Sequence, residues 1–212
     1  GPAFTTVKNT EEYNGTSWTS GGDINSPQGL DSAAGSGSQT AALSASGKSG
    51  GPPSYTYPTI TNSFEYDGSS WSGGGAVSNG RTVAGSAGTQ TASLLFGGQS
   101  QSNKTEELDK WWKFTTRYKQ TWWHRNTNCS YSNGRTYRSP ADFNVTNYYD
   151  GSSWTAQPGT MNTARNAIGA SGTQTNCVAY GGYKYSYPSG STAATELWDG
   201  TSWTTTTSMA TA

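Results

Sequence analysis

Histidine and cysteine are nearly missing from this chain of 212 residues, which has one His (His124) and two Cys (Cys129 and Cys177). One imidazole cannot build a multi-histidine metal centre, and two thiols are too few for a disulfide framework. Charged residues make up 12% of the chain and apolar ones 31%, a low share for an ordinary globule. No apolar run is long enough to cross a membrane as a helix, and there is no secretory h-region. What abounds is Gly, Ser and Thr, together with nine Trp and thirteen Tyr. Small polar residues alone would read as disorder, but the aromatics and the regular motifs argue against it. The length suffices for one or two domains with a real core. The opening Gly1-Pro2 looks like the scar of a tag-removing protease, which predicts a piece of a longer protein.

The motifs repeat. "YNGTSW" runs from Tyr13 to Trp18, "YDGSSW" from Tyr66 to Trp71 and again from Tyr149 to Trp154, and "WDGTSW" from Trp198 to Trp203. A second element precedes the later copies: "GSQTAALSASG" at 37–47, "GTQTASLLFGG" at 88–98 and "GTQTNCVAYGG" at 172–182. Repeats therefore start near 13, 66, 108, 149 and 198, at intervals of 41 to 53 residues within a single domain spanning 1–212. Each unit reads as four short strands. "RTVAGSAG" gives an inner strand of small residues, and "TASLLFGG" an apolar strand that ends at a glycine pair able to turn. "NSFEYD" alternates, and its "DG" makes a tight turn into "SSW".

Four strands per unit with a period in the forties is the pattern of a β-propeller blade. The stretch "MNTARNAIGASGTQTNCVAYGG…LWDGTSW" resembles a kelch repeat, and the likeness covers nearly the whole chain. The resemblance implies an all-β, kelch-like β-propeller of about four blades of four antiparallel strands, or a fragment of a longer repeat array. The wording "GTQTAA" with "YDGSSW" is also similar to repeat arrays in appendage proteins of marine bacteriophages, which implies a virion-surface or extracellular setting.

One segment breaks the pattern. Seven basic residues (Lys110, Lys113, Arg117, Lys119, Arg125, Arg135 and Arg138) lie between Asp109 and Asp142 with no acid among them. With its tryptophans, the segment has the composition of a nucleic-acid patch. It occupies one repeat interval, yet lacks "GTQTA". Trp122-Trp123-His124 must be encoded TGG-TGG-CAY, which reads Gly-Gly one base later. Allowed codons from there through Arg135 spell Ile-Gly-Thr-Gln-Thr-Ala-Ala-Ile-Ala-Met-Gly-Gly, the missing second element. Residues from about 110 to 140 are therefore expected to be a blade translated out of frame. Its Trp, Arg and His would be by-products of Gly and Thr codons, which undercuts the case for a nucleic-acid site and, still more, for a His124–Cys129 centre.

No enzyme is expected. A sialidase-like site needs a cluster of arginines, and the in-frame ones, Arg81 and Arg165, hold equivalent repeat positions that suggest a structural role. Asp67, Asp150 and Asp199 could hold calcium through their oxygens, but turn aspartates more often bond their own backbone. No cofactor and no metal is predicted. Cys177 lies in an apolar strand and reads as a small buried side chain.

The tyrosine-rich loops exceed what a repeat requires. "PPSYTYP" (52–58) and "YKYSYP" (183–188) place Tyr55 with Tyr57, and Tyr183 with Tyr185 and Tyr187, on single faces of extended segments. Tyrosine can stack on a sugar ring while its hydroxyl bonds outward, and loops on rigid scaffolds carry binding. These five residues are the expected ligand site, with host-surface glycan as the partner of a non-catalytic module. A structural spacer and a protein-interaction propeller are the alternatives; exposure of both loops favours a ligand, and burial between blades favours the spacer.

Overall fold

The computed structural model describes residues 6–50, 58–100, 129–132, 135–138, 141–186 and 188–212. Among the described residues there are twenty short strands and no helix, so the protein is all-β with antiparallel pairing throughout. The chain opens on a hairpin of β1 (Glu11–Tyr13) and β2 (Trp18–Ser20). Next, β3 (Ala34–Ser38), β4 (Ala41–Ala45), β5 (Ser63–Tyr66) and β6 (Trp71–Gly73) form a four-stranded meander. A second sheet begins with β7 (Gly85–Gly88) and β8 (Ser93–Phe96) and is then interrupted. The excursion leaves through β9 (Gln99–Ser100), contains a hairpin of β10 (Cys129–Ser132) and β11 (Arg135–Arg138), and returns through β12 (Ala141–Asp142), which pairs with β9. Only then do β13 (Thr146–Tyr149) and β14 (Trp154–Gln157) complete the sheet, in the order β7-β8-β13-β14. The third sheet comprises β15 (Gly169–Gly172), β16 (Cys177–Tyr180), β19 (Thr195–Trp198) and β20 (Trp203–Thr206). A small hairpin, β17 (Tyr183–Lys184) with β18 (Gly190–Ser191), projects between β16 and β19.

The repeat starts at 66, 149 and 198 mark the outer hairpin of each sheet, and the start at 13 marks the lone first hairpin. The start at 108 and most of the segment expected to be frame-shifted lie outside the described residues. What the structure does show is that β8 pairs directly with β13, Phe96 opposite Thr146 and Ser93 opposite Tyr149, across one repeat length of chain.

Inner strands lie side by side, β3 against β7 and β7 against β15, in an array that is not closed. They are made of small residues because the next strand crowds them. A Cβ on Gly85 would come within 2.5 Å of the Phe96 ring. The inner strand expected over "RTVAGSAG" is shorter than its sequence suggests and starts at Gly85. Just before it, Val83 adopts φ 48°, as its repeat equivalents Ser32 (56°) and Ala167 (51°) do. That left-handed backbone is costly for a β-branched residue. It aims Val83 N–H at Ser32 O (3.0 Å) and Ala167 N–H at Val83 O (2.8 Å), so three sheets are joined backbone to backbone.

Two apolar layers fill the spaces between sheets. Ala34, Ala45, Val77 and Leu95 pack between the first and second, with Trp154 alongside. Leu94, Phe96, Met161, Cys177, Trp198 and Trp203 pack between the second and third.

Candidate functional site

Each outer hairpin is built alike. In "YDGSSW" the first and last aromatic residues face each other across the strands, and their rings touch with centroids 5.0 Å apart for Tyr66–Trp71 and for Tyr149–Trp154. Trp198–Trp203 repeats this at 5.3 Å and Tyr13–Trp18 at 5.1 Å. The aspartates close the turns. Asp67 Oδ1 accepts the Ser69 and Ser70 amides, both at 2.8 Å, and Asp150 and Asp199 do the same with their own neighbours. Glycine must follow because φ there is +91° to +96°. These bonds hold the carboxylates ionised: the Ser70 amide and then Ser69 draw the Asp67 carboxyl down to about 2. Asp150 and Asp199 are likewise lowered, chiefly by the amides of Ser153 and Ser202. Their oxygens bond the turn's own backbone, as turn aspartates commonly do.

Sheets are latched by side chains at equivalent positions. The indole N–H of Trp71 donates to Thr10 Oγ1 (2.7 Å), that of Trp154 to Ser63 Oγ (3.2 Å) and that of Trp203 to Thr146 Oγ1 (2.9 Å), each reaching the preceding unit. The Tyr66 hydroxyl donates to Glu12 and the Tyr149 hydroxyl to Glu65; at the same place Trp198 Nε1 donates to Tyr148 Oη at 2.9 Å. Burial and the Glu65 bond together push the Tyr149 hydroxyl up to about 12. The glutamines of "GTQT" are staples: Gln90 Nε2 donates to Ala42 O and Tyr66 O, and Gln174 Nε2 to Ser93 O and Tyr149 O. The repeated Gln was visible in the sequence; its role was not, because its acceptors belong to the neighbouring unit.

Arg81 and Arg165 are fully buried. Arg165 Nη1 lies 3.3 Å from Glu196 Oε1, a charge contact rather than an aligned hydrogen bond, and Nη2 donates to Ala179 O at 3.3 Å. Arg81 donates to Asn147 and to the carbonyls of Gly97 and Val145, and burial draws its guanidinium down to about 10. Both arginines thus brace their sheets from within. Cys177 is free and buried, and burial raises its thiol to about 11, which makes it a packing residue.

Of the expected ligand residues, Tyr183 and Tyr185 come together on the β17–β18 hairpin. Their rings meet edge to face with centroids 5.0 Å apart, and both are exposed. Asp142 fixes them: its Oδ2 accepts the Tyr185 amide at 2.5 Å, and its Oδ1 accepts Asn166 Nδ2 at 2.7 Å. Asn166 in turn exchanges backbone bonds with Tyr183, at 2.9 and 3.0 Å. Sequence reasoning missed Asp142, which sits at the return of the excursion and has no local motif. Tyr55, Tyr57 and Tyr187 lie outside the described residues, as do His124 and the basic residues from Lys110 to Arg125. Among the described residues, no group of three or more His, Cys, Asp or Glu is placed to hold a metal ion.

The fold has a counterpart among solved structures. The chain is similar to the structure titled "Structure of YjhT", with a TM-score of 0.59 over 94% of this chain and 52% of that one, at 14% identity. Likeness at that identity concerns the fold alone, and the chain spans about half the length of the matched protein. No protein-family model matches the sequence, and no curated protein matches it.

Proposed function

We propose that the sheets are blades of a kelch-like propeller array and that the chain is a non-catalytic module binding carbohydrate. The observation that carries this reading is the exposed Tyr183–Tyr185 pair. Two rings fixed on a hairpin, with their backbone tied to Asp142 and Asn166, lose little entropy when a ligand stacks on them. A sugar ring presents an apolar C–H face to such a platform, and the hydroxyls of the tyrosines remain available to its polar rim. The phage-like wording of the repeats makes a bacterial surface glycan the ligand class and a virion surface the setting. The non-catalytic reading draws support from how the carboxylates are used. Asp67, Asp150 and Asp199 hold turns, Glu12 and Glu65 hold tyrosines, and Glu196 holds Arg165.

A structural spacer is the second reading, favoured by the side-chain latches that recur between successive units. A screen on an array of bacterial surface glycans separates the two. The wild-type chain binds a subset of glycans and a Tyr183→Ala, Tyr185→Ala variant binds none if the platform is the site. A folded wild-type chain that binds nothing rejects it in favour of the spacer.

A further inference from the structure

The contacts that join one sheet to the next are written on both outer faces of the described array, where their side chains stand exposed. At the leading end stands the β1–β2 hairpin. Its Trp18 holds the position of Trp71, Trp154 and Trp203, yet it is 66% exposed, and Tyr13 beside it is 45% exposed against 2% for its equivalent Tyr66. At the trailing end stands the third sheet. Tyr180 holds the position of Phe96, which is fully buried because Trp203 of the next sheet lies on it with ring centroids 4.8 Å apart. Tyr180 has no such cover and is 40% exposed. Leu197 holds the position of Glu12, Glu65 and Tyr148, each of which meets an aromatic residue of the next sheet, and it too is exposed. Thr195 holds the position of Thr10, Ser63 and Thr146, the hydroxyls that accept an indole N–H.

We propose that the leading hairpin of one copy of this chain docks on the third sheet of a second copy, head to tail, repeating the internal interface between molecules. Trp18 of one copy covers Tyr180 of the other and donates its indole N–H to Thr195 Oγ1, while Tyr13 covers Leu197. The match of the two ends is not a coincidence of shape. They are the two halves of an interface that the chain already forms between its hairpin and first sheet and between its later sheets. Such a contact is heterologous, and it closes into a ring or extends as a filament according to its rotation.

The test is the solution mass by light scattering across a concentration series, beside Trp18→Glu, Leu197→Glu and a Thr155→Glu control on a solvent-facing outer strand. The wild-type and control chains exceed the 22.4 kDa of one chain. Each end variant weakens association by roughly thirtyfold or more, the effect of losing an aromatic or apolar anchor. An equimolar mixture of the two variants regains a two-chain species, because each still carries the end that the other lacks. That recovery also shows that both variants are folded. A wild-type chain that stays at the mass of one chain overturns the proposal and leaves the ends to a different partner. So does association that survives either variant, or a mixture that stays at the mass of one chain.

Discussion

Replacing Glu196 by Gln removes the counter-charge of a buried guanidinium while keeping the shape of the side chain. Both Arg165 and Glu196 are fully buried, with Nη1 and Oε1 3.3 Å apart, and Arg165 Nε finds no acceptor among the described residues. Taking one partner from a buried pair costs about 3–5 kcal/mol, since the other charge stays desolvated and alone. For a chain of this length, each kcal/mol lowers the melting temperature by roughly 2–4 °C, so Glu196→Gln melts roughly 6–20 °C below wild type. The chain itself suggests the control. At the positions of Arg165 and Glu196, the first sheet carries Leu30 and Phe64. The double variant Arg165→Leu, Glu196→Phe copies that apolar solution and leaves no buried charge. It gives up the bond from Arg165 Nη2 to Ala179 O (3.3 Å) and the bonds that Glu196 accepts from the amides of Asn162 (2.6 Å) and Thr163 (3.3 Å). At about 1 kcal/mol each, these set its cost near ~3 kcal/mol, below the middle of the range for the single change. Urea unfolding followed by circular dichroism measures both variants. A Glu196→Gln protein within about 1 kcal/mol of wild type, or a double variant no better than the single, would mean that the buried charge on Arg165 does not depend on Glu196.

Three further outcomes follow from the same geometry. Gly85→Ala costs more stability than Gly169→Ala, measured by thermal melts. The new Cβ meets a ring in both, at 2.5 Å and 2.4 Å, but Phe96 is fully buried beneath Trp203, whereas Tyr180 of the unassociated chain, melted at high dilution, is 40% exposed and has room to turn. The turn aspartates have carboxyls held below their ordinary range, so their stabilisation is complete above about pH 4 and is lost as pH falls toward 2. A triple Asp67→Asn, Asp150→Asn, Asp199→Asn variant melts with less acid dependence, because Asn14 already makes the same two turn bonds in the first hairpin. Finally, Ser100 and Ala141 are opposed in the β9–β12 pair, so residues 101–140 can be exchanged for a two-residue Asn-Gly turn. The shortened chain melts within about 4 °C of wild type, the equivalent of about 1 kcal/mol; a larger loss means that the excursion supports the second sheet.

Local signals carried much of this architecture. "YDGSSW" announces a hairpin because Asp, Gly and two serines are what its turn needs, and the flanking aromatics face each other as soon as the strands pair. "TASLLFGG" likewise ends where Gly97 and Gly98 take positive φ. The inner strand is shorter than its sequence suggests, since nothing in "RTVAGSAG" says that Val83 bends the chain toward Ser32 of the preceding unit. Pairing of β8 with β13 was not legible either, because strand partners more than forty residues apart are chosen by the whole sheet and not by its pieces. Of the candidate site, the spacing of Tyr183 and Tyr185 was visible, while Asp142, which fixes them, comes from a distant part of the chain.

Magnetisation transfer from the protein to a mixture of bacterial surface oligosaccharides, read by saturation-transfer NMR, tests the binding platform most directly. Transfer to sugar ring protons is expected from the wild-type chain, with its loss in the Tyr183→Ala, Tyr185→Ala variant. Transfer that persists unchanged in that folded variant, or none from the wild-type chain, contradicts that expectation.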